Sequence, residues 1–171
     1  DSLMIASEYG HLPLVKFLLK NKEDQNLINV CFVLASREGH LDVVKYLKRK
    51  GADIHVDNDE ALFEATKGGH VNVVRYLVNA GGSIHKNYLL SEAVKYGHYE
   101  VAEFLIEKGI DIDLGIYSPL HLASEAGNID MVELLLKNRA YVKRNDIAYE
   151  EAVKRGYFDI AEMILDYQER T

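Results

Sequence analysis

The sequence predicts an all-α fold, a solenoid of six stacked helix–turn–helix repeats. Two observations support this prediction: a glycine recurs at nearly constant spacing, and an alanine stands four residues before each copy of it. The glycines are Gly10, Gly39, Gly69, Gly97, Gly127 and Gly156, separated by 28 to 30 residues. The alanines are Ala6, Ala35, Ala65, Ala93, Ala123 and Ala152. Self-similarity at a fixed period of this length indicates an array of repeated structural units.

Each repeat is expected to form two short helices joined by a turn at the glycine. Glycine ends the first helix because it adopts the positive φ of a helix terminus at little steric cost. Asp59 and Ser118 are expected to cap first helices, and Ser118 is followed by Pro119 at the first helical position, a pairing typical of helix starts. The second helix carries apolar residues at helical spacing, as in residues 43–47, and a charged opposite face.

Composition restricts the class of protein. The chain has 171 residues, of which 48% are hydrophobic and 27% charged, values typical of a globular protein. Its net charge of −7 argues against general nucleic-acid binding, which needs a basic surface. The sequence contains no apolar run long enough to span a membrane, and its first residues lack the pattern of a secretory signal. The single cysteine, Cys31, fits a reducing compartment, so we expect a cytoplasmic protein.

The negative charge is concentrated in residues 90–137, which hold nine acidic and three basic side chains. Residues 37–75 hold seven of each sign. A partner that docks on the acidic segment is therefore expected to carry a basic surface and to be steered there electrostatically. The alternative, that these carboxylates only solvate an exposed face, stays open.

The repeat unit resembles the ankyrin repeat. Residues 35–53 read Ala-x-x-x-Gly-His-Leu-x-Val-Val-x-x-Leu-x-x-x-Gly-Ala-Asp, which is the family's pattern with one extra residue after the alanine. Residues 118–123, Ser-Pro-Leu-His-Leu-Ala, are similar to the family's Thr-Pro-Leu-His-x-Ala signature. The resemblance extends over essentially the whole chain in six copies. It implies an ankyrin-type solenoid.

The repeats are shorter than the family's usual length of about 33 residues. The missing residues fall where the family places its β-turn fingers, so short or vestigial fingers are expected. Shortened repeats rich in tyrosine and lysine are similar to those of ankyrin proteins of large DNA viruses.

One ankyrin-repeat domain is expected over residues 1–171, with repeats at about 1–28, 29–57, 58–86, 87–115, 116–144 and 145–171. The first repeat starts inside its first helix and keeps Leu3, Met4 and Ile5 without a polar cap. Terminal repeats of a solenoid need such caps, so the array is expected to continue beyond the N-terminus. Residues 1–30 are then expected to exchange their amide hydrogens before residues 62–136.

Histidine follows the repeat glycine at His11, His40, His70 and His98. Stacked helices lie roughly 8–10 Å apart, whereas zinc ligands lie about 2 Å from a shared ion, so this ladder cannot chelate a metal. The resemblance implies structural hydrogen bonds at the turn between helices instead. Asn128 and Tyr157 replace the histidine in the last two repeats, which fits a polar structural position.

No catalytic, cofactor-binding or metal-binding site is predicted, so we expect that the protein is not an enzyme. Cys31 and His40 could suggest a nucleophile and its base, but no orienting carboxylate or second cysteine accompanies them. A lone cysteine ahead of a helix is more often a small buried apolar residue.

The two positions before each repeat glycine vary widely while the framework around them stays constant. In the ankyrin family this end of the first helix lines the concave groove where partners dock, so the resemblance implies a binding surface. Tyr9, Arg37, Tyr96 and Arg155 are the preferred anchors, because tyrosine and arginine are enriched at binding hot spots. The other predicted contacts are Glu38, Lys67, Lys95, Glu125 and Lys154, with Tyr88 and Tyr117 in loops between repeats. The alternative, that exposed positions vary because nothing constrains them, stays open.

The predicted function is therefore a protein–protein interaction module that binds a partner protein through its concave groove. We expect a monomer that binds neither nucleic acid nor membrane and needs no cofactor. The alternative is the targeting or regulatory arm of a larger enzyme, a ubiquitin-ligase adaptor or a host-directed effector. The resemblance also implies that an asparaginyl hydroxylase could act at His55, His85 or Asp113, which close the Gly-Ala-Asp-x-Asn pattern.

Overall fold

The computed structural model describes residues 1–20, 24–85, 88–113, 118–138, 140 and 147–170. Within these residues the chain is all helical, with twelve helices and no β-strand. The helices are α1 (Ser2–Glu8), α2 (Leu12–Leu18), α3 (Gln25–Arg37), α4 (Leu41–Arg49), α5 (Glu60–Lys67), α6 (Val71–Asn79), α7 (Leu89–Lys95), α8 (Tyr99–Glu107), α9 (Pro119–Glu125), α10 (Ile129–Lys137), α11 (Ile147–Arg155) and α12 (Phe158–Arg170). They form six pairs, a first helix and then a second, which confirms the predicted all-α repeat fold.

The chain divides into two compact units, Asp1–Asn87 (unit 1) and Tyr88–Thr171 (unit 2). In unit 1 the first helices α1, α3 and α5 pack in sequence, and so do the second helices α2, α4 and α6. In unit 2 the first helices are α7, α9 and α11, and the second helices are α8, α10 and α12. Each first helix also contacts the second helix of its own pair. Each unit is thus two layers of helices from three repeats, and neighbouring repeats stabilise one another.

The core of each unit lies between its two layers. All six repeat alanines are buried, and their methyl-sized side chains leave room for close packing of the first helices. The second helices contribute leucines at one repeated position, and Leu47, Leu77, Leu105 and Leu135 are all buried. Full burial of such a side chain contributes about 1.5–3 kcal/mol. The repeated apolar positions therefore supply most of the stabilising burial.

The repeat glycines end the first helices as predicted. All six have positive φ, between 67° and 81°. In every repeat the glycine N–H donates to the carbonyl three residues earlier, and the next N–H donates to the carbonyl of the repeat alanine; Gly39 to Ser36 at 3.3 Å and His40 to Ala35 at 2.9 Å are one example. These two bonds form the Schellman motif, which satisfies carbonyls that a helix end leaves unpaired.

The two predicted helix caps have different outcomes. Ser118 caps α9, since its Oγ accepts a hydrogen bond from the His121 N–H at 3.2 Å. Asp59 directly precedes α5, but the prediction that its side chain caps this helix is wrong. With a φ of 67°, Asp59 directs its buried carboxylate elsewhere. That carboxylate accepts a hydrogen bond from the Ser83 N–H at 3.2 Å and lies 2.7 Å from His55 Nδ1.

Helix α3 is longer than the other first helices and begins at Gln25, before the repeat boundary expected at residue 29. Asp24 caps it, because its carboxylate accepts a hydrogen bond from the Leu27 N–H at 3.2 Å. The Gln25 side-chain amide donates to the Gly51 carbonyl at 2.8 Å, which ties the start of α3 to the end of α4. The connection from α4 to α5 consists mostly of turn residues.

Candidate functional site

The candidate binding residues lie at the C-terminal ends of the first helices. We call the two residues before each repeat glycine the pre-glycine face of each unit. In unit 1 this face consists of Glu8, Tyr9, Arg37, Glu38, Lys67 and Gly68, and in unit 2 of Lys95, Tyr96, Glu125, Ala126, Lys154 and Arg155. The Schellman turn determines where each pair of residues lies, because the glycine fixes the end of the first helix.

An ion pair connects the first two repeats on the pre-glycine face of unit 1. Arg37 Nη2 lies 2.7 Å from Glu8 Oε1, and its Nε donates to Glu38 Oε1 at 2.8 Å. The pKa of Arg37 is raised chiefly by the hydrogen bond to Glu38, while partial burial opposes the shift and nearby carboxylates reinforce it. The structure therefore brings three of the variable positions into direct contact.

Unit 2 repeats this arrangement. Arg155 Nη2 lies 2.8 Å from Glu125 Oε1, and its Nε donates to Glu151 Oε1 at 2.6 Å. The hydrogen bond from Arg155 lowers the pKa of Glu151, with a smaller contribution from Lys154. Each arginine thus joins one carboxylate from the preceding repeat to one from its own.

The tyrosines of the two faces stay open to solvent. Tyr9 is 67% exposed and Tyr96 is 45% exposed. The Tyr96 ring stacks on His98 with 6.2 Å between centroids, and Lys95 Nζ lies 5.3 Å from the Tyr96 centroid. A tyrosine offers a large amphipathic contact area with few rotatable bonds, which is favourable for binding. Tyr9 and Tyr96 therefore have the exposure and chemistry of binding anchors.

The remaining predicted contacts occupy different places. Lys67, Lys95 and Lys154 are exposed, and Lys154 Nζ lies 3.3 Å from Glu151 Oε2. Tyr88 is 53% exposed and precedes α7, so it lies at the opposite end of that helix from Lys95, about 10 Å away along the axis. Tyr117 falls outside the described residues.

Two of the histidines after the glycines, His40 and His70, have the predicted structural role. His40 Nε2 lies 2.8 Å from the Glu8 carbonyl oxygen, and His70 Nε2 lies 2.8 Å from the Arg37 carbonyl oxygen. Each ring also covers the glycine of the preceding repeat, since a Cβ built on Gly39 would lie 2.5 Å from His70 Nδ1. Each histidine therefore supports the backbone of the preceding repeat's pre-glycine face.

Tyr157 takes over this position in unit 2. A Cβ built on Gly127 would lie 2.6 Å from the Tyr157 ring, so the phenol covers the glycine as the imidazoles do in unit 1. Asn128 instead uses its side chain to accept a hydrogen bond from the Met131 N–H at 3.1 Å and caps α10.

The residues considered for chemistry or modification are dispersed. Cys31 is buried in the core. Among the described residues, no cluster of three or more histidine, cysteine or acidic side chains could hold a metal ion, and no helix could cross a membrane. His55 contacts the buried Asp59, His85 is exposed, and the Asp113 N–H donates to Asp111 Oδ1 at 3.1 Å.

The ion pairs that connect repeats were not predicted from the sequence. Glu8 and Arg37 are 29 residues apart, and Glu125 and Arg155 are 30 apart. Both separations correspond to one repeat. Opposite charges at this spacing, close to the repeat glycines, would therefore have predicted these ion pairs from the sequence.

The repeat architecture agrees with a comparison against protein families. A family model described as ankyrin repeats in three copies matches residues 3–87, 32–116 and 90–171. A search of curated proteins finds no match to the chain. The matched ranges cover nearly all of the sequence and contain the Schellman glycines of all six helix pairs. The chain therefore belongs to the ankyrin repeat family.

Proposed function

We propose that this chain recognises a partner protein through its pre-glycine faces, with Tyr9 and Tyr96 as the principal anchors. Ankyrin repeats are generally protein–protein interaction modules. The observation that supports this choice of surface is an exposed tyrosine on each face, Tyr9 at 67% and Tyr96 at 45%. Tyrosine is among the residues that dominate binding energies at protein interfaces.

The frame around Tyr9 favours tight binding because it is ordered before a partner arrives. The Glu8–Arg37 ion pair lies beside it, and the His40 ring supports the Glu8 carbonyl. Binding costs less entropy when the contacting groups already occupy their bound positions. Arg37 thus acts mainly by ordering the face, and Tyr9 makes the contact.

The pre-glycine faces also carry charged side chains that contribute to the choice of partner. In unit 1 Lys67 is exposed, and in unit 2 Lys95 and Lys154 are exposed. Exposed charges contribute to the choice of partner and to the association rate more than to affinity. Because the faces also carry Glu8, Glu38 and Glu125, partner segments that combine charged side chains of both signs with apolar side chains fit these surfaces best.

Site-directed photo-crosslinking tests the proposal. Benzoylphenylalanine replaces Tyr9 or Tyr96 and, as matched controls, Phe17 or Phe158, exposed aromatic residues of second helices at 73% and 69%. Crosslinked proteins are identified by mass spectrometry. We expect one protein to crosslink from positions 9 and 96 and not from 17 and 158. Crosslinking from positions 17 and 158 alone would assign recognition to the second helices and contradict the proposal.

A further inference from the structure

Helices α8 and α10 of unit 2 enclose a groove on the layer of second helices. Its cavity volume is about 470 Å³, and its walls come from one face of each helix. Tyr99, Glu103 and Glu107 line it from α8, at the four-residue spacing that places side chains on one helical face. Asp130 and Glu133 line it from α10. The cavity lies within the usual range for binding sites, about 300–1,000 Å³.

The groove is strongly acidic. Glu103, Glu107, Asp130 and Glu133 face a single cationic lining residue, Lys137. None of these four carboxylates takes part in an ion pair that the structure describes. Burial raises the pKa of Tyr99, and three of the four carboxylates, Glu103, Glu133 and Asp130, raise it further.

The groove also has an apolar part. Ile106 and Leu134 line it between the carboxylates, and Leu134 is 7% exposed. A lysine or arginine side chain matches this combination, because its methylene stem packs on apolar surface while its charged end reaches polar groups. The groove therefore offers apolar contact area in addition to its solvated carboxylates.

The corresponding layer of unit 1 has the opposite charge. Helix α4 and its C-cap carry Lys45, Lys48, Arg49 and Lys50 with only one acid, Asp42. The acidity of the α8–α10 groove is thus a local property and does not follow from the repeat pattern. A partner attracted to this groove would be repelled by the equivalent surface of unit 1.

We propose that the α8–α10 groove binds an arginine-rich segment of a protein partner. The guanidinium groups pair with Glu103, Glu107 and Glu133, while the stems pack on Ile106 and Leu134. Arginine suits the site better than lysine because its guanidinium is more weakly hydrated and forms two parallel hydrogen bonds with a carboxylate. This surface lies on second helices and is separate from the pre-glycine faces, so either proposal can fail without the other.

An NMR titration with a tetra-arginine peptide, acetylated and amidated, tests this proposal on the whole chain. We expect amide shifts concentrated in residues 99–108 and 130–138. The groove variant Glu103→Gln/Glu133→Gln removes two charges from the walls, and we expect about tenfold weaker binding. The control variant Glu162→Gln/Glu169→Gln removes two exposed charges from α12, and we expect less than about twofold weakening.

Circular dichroism and urea unfolding check that both variants keep the fold. Equal weakening by the two variants would show that diffuse negative charge attracts the peptide, and the groove assignment would fail. Shifts centred outside the two helices, or no saturable binding, would also overturn it. Tetra-lysine is the comparison peptide, and binding as tight as that of tetra-arginine would contradict bidentate pairing in the groove.

Discussion

Arg37 Nη2 lies 2.7 Å from Oε1 of Glu8, a residue 29 positions earlier and one repeat away. The same relationship recurs between Arg155 and Glu125 at 2.8 Å. In both units an arginine beside the repeat glycine joins its own repeat to the one before it. Each pair thus joins two of the three repeats of its unit on the pre-glycine face, at a separation that only the repeat brings together.

The Glu8–Arg37 pair is expected to contribute little to global stability. The two side chains are 37% and 40% exposed, and ion pairs with this degree of solvent contact contribute about 0.2–1 kcal/mol. A double-mutant cycle with Glu8→Gln and Arg37→Gln, measured by urea unfolding, gives the coupling energy directly. A coupling energy above about 2 kcal/mol would mean that the pair is far better shielded from water than its exposure indicates.

Gly39, which ends a first helix, and Gly109, which follows the second helix α8, are expected to differ in how strongly they resist substitution. Gly39 and Gly109 both have positive φ, but a Cβ on Gly39 would lie 2.5 Å from His70 Nδ1, whereas nothing lies within 4 Å of one on Gly109. Gly109→Ala should cost about 1–2 kcal/mol from backbone strain alone. Gly39→Ala should cost at least about 1 kcal/mol more because of the overlap with the ring.

Urea unfolding measures both variants, and a His70→Ala background provides the control. Without the imidazole, Gly39→Ala should cost no more than Gly109→Ala. Equal costs of the two substitutions in the wild-type background would contradict the packing of His70 over Gly39.

Asp59 is expected to be sensitive to loss of its carboxylate although it does not cap a helix. It is 1% exposed, has a φ of 67°, and accepts a hydrogen bond from the Ser83 N–H. Asp59→Ala should cost about 2–4 kcal/mol, because it leaves a part-buried donor unsatisfied and puts alanine in the left-handed region. Asp59→Asn keeps an acceptor and tolerates this backbone conformation, so its cost should be about 1 kcal/mol. Equal thermal stabilities of the two variants would contradict this account.

Asp59 also shows where sequence reasoning reaches its limit. An aspartate just before Ala61 and Leu62 has the pattern of a helix cap, and α5 does begin after it. Its backbone conformation and its bond to Ser83, 24 residues away, depend on tertiary packing that no local pattern contains. The helix ends were predictable because the Schellman motif needs only a glycine and its near neighbours.

The candidate site was predictable in part for the same reason. The positions of Tyr9 and Tyr96 follow from the repeat glycine, and their exposure follows from their place at the helix end. The α8–α10 groove was not predictable in this way. Glu103 and Glu133 are separated by a full repeat. The sequence shows that the segment containing them is acidic, but it does not show that two helices enclose a cavity there.

Arg155 is expected to control the titration of Glu151. Its hydrogen bond at 2.6 Å stabilises the ionised carboxyl and lowers the pKa of Glu151. The unfolded chain has the higher pKa, so this stabilisation is fully present above about pH 4.3 and is lost as the pH falls through the lowered folded-state value. Arg155→Gln should raise the pKa of Glu151 toward its ordinary value.

Carboxyl NMR titration follows Glu151 in both proteins. Arg170→Gln is the matched control, because Arg170 pairs with Asp166 at 3.5 Å and not with Glu151. If Arg155→Gln left the titration of Glu151 as unchanged as Arg170→Gln does, the proposed cause of the shift would be wrong.

Recognition of a partner protein through the pre-glycine faces is tested most directly by isothermal titration calorimetry with the protein identified by crosslinking. The wild-type chain is compared with Tyr9→Ala/Tyr96→Ala and with Phe17→Ala/Phe158→Ala, which removes two exposed aromatic rings of second helices. We predict at least about tenfold weaker binding, or about 1.4 kcal/mol, for the tyrosine variant. The phenylalanine variant should bind as the wild type does. Unchanged affinity of the tyrosine variant, with weakened binding of the phenylalanine variant, would contradict the account.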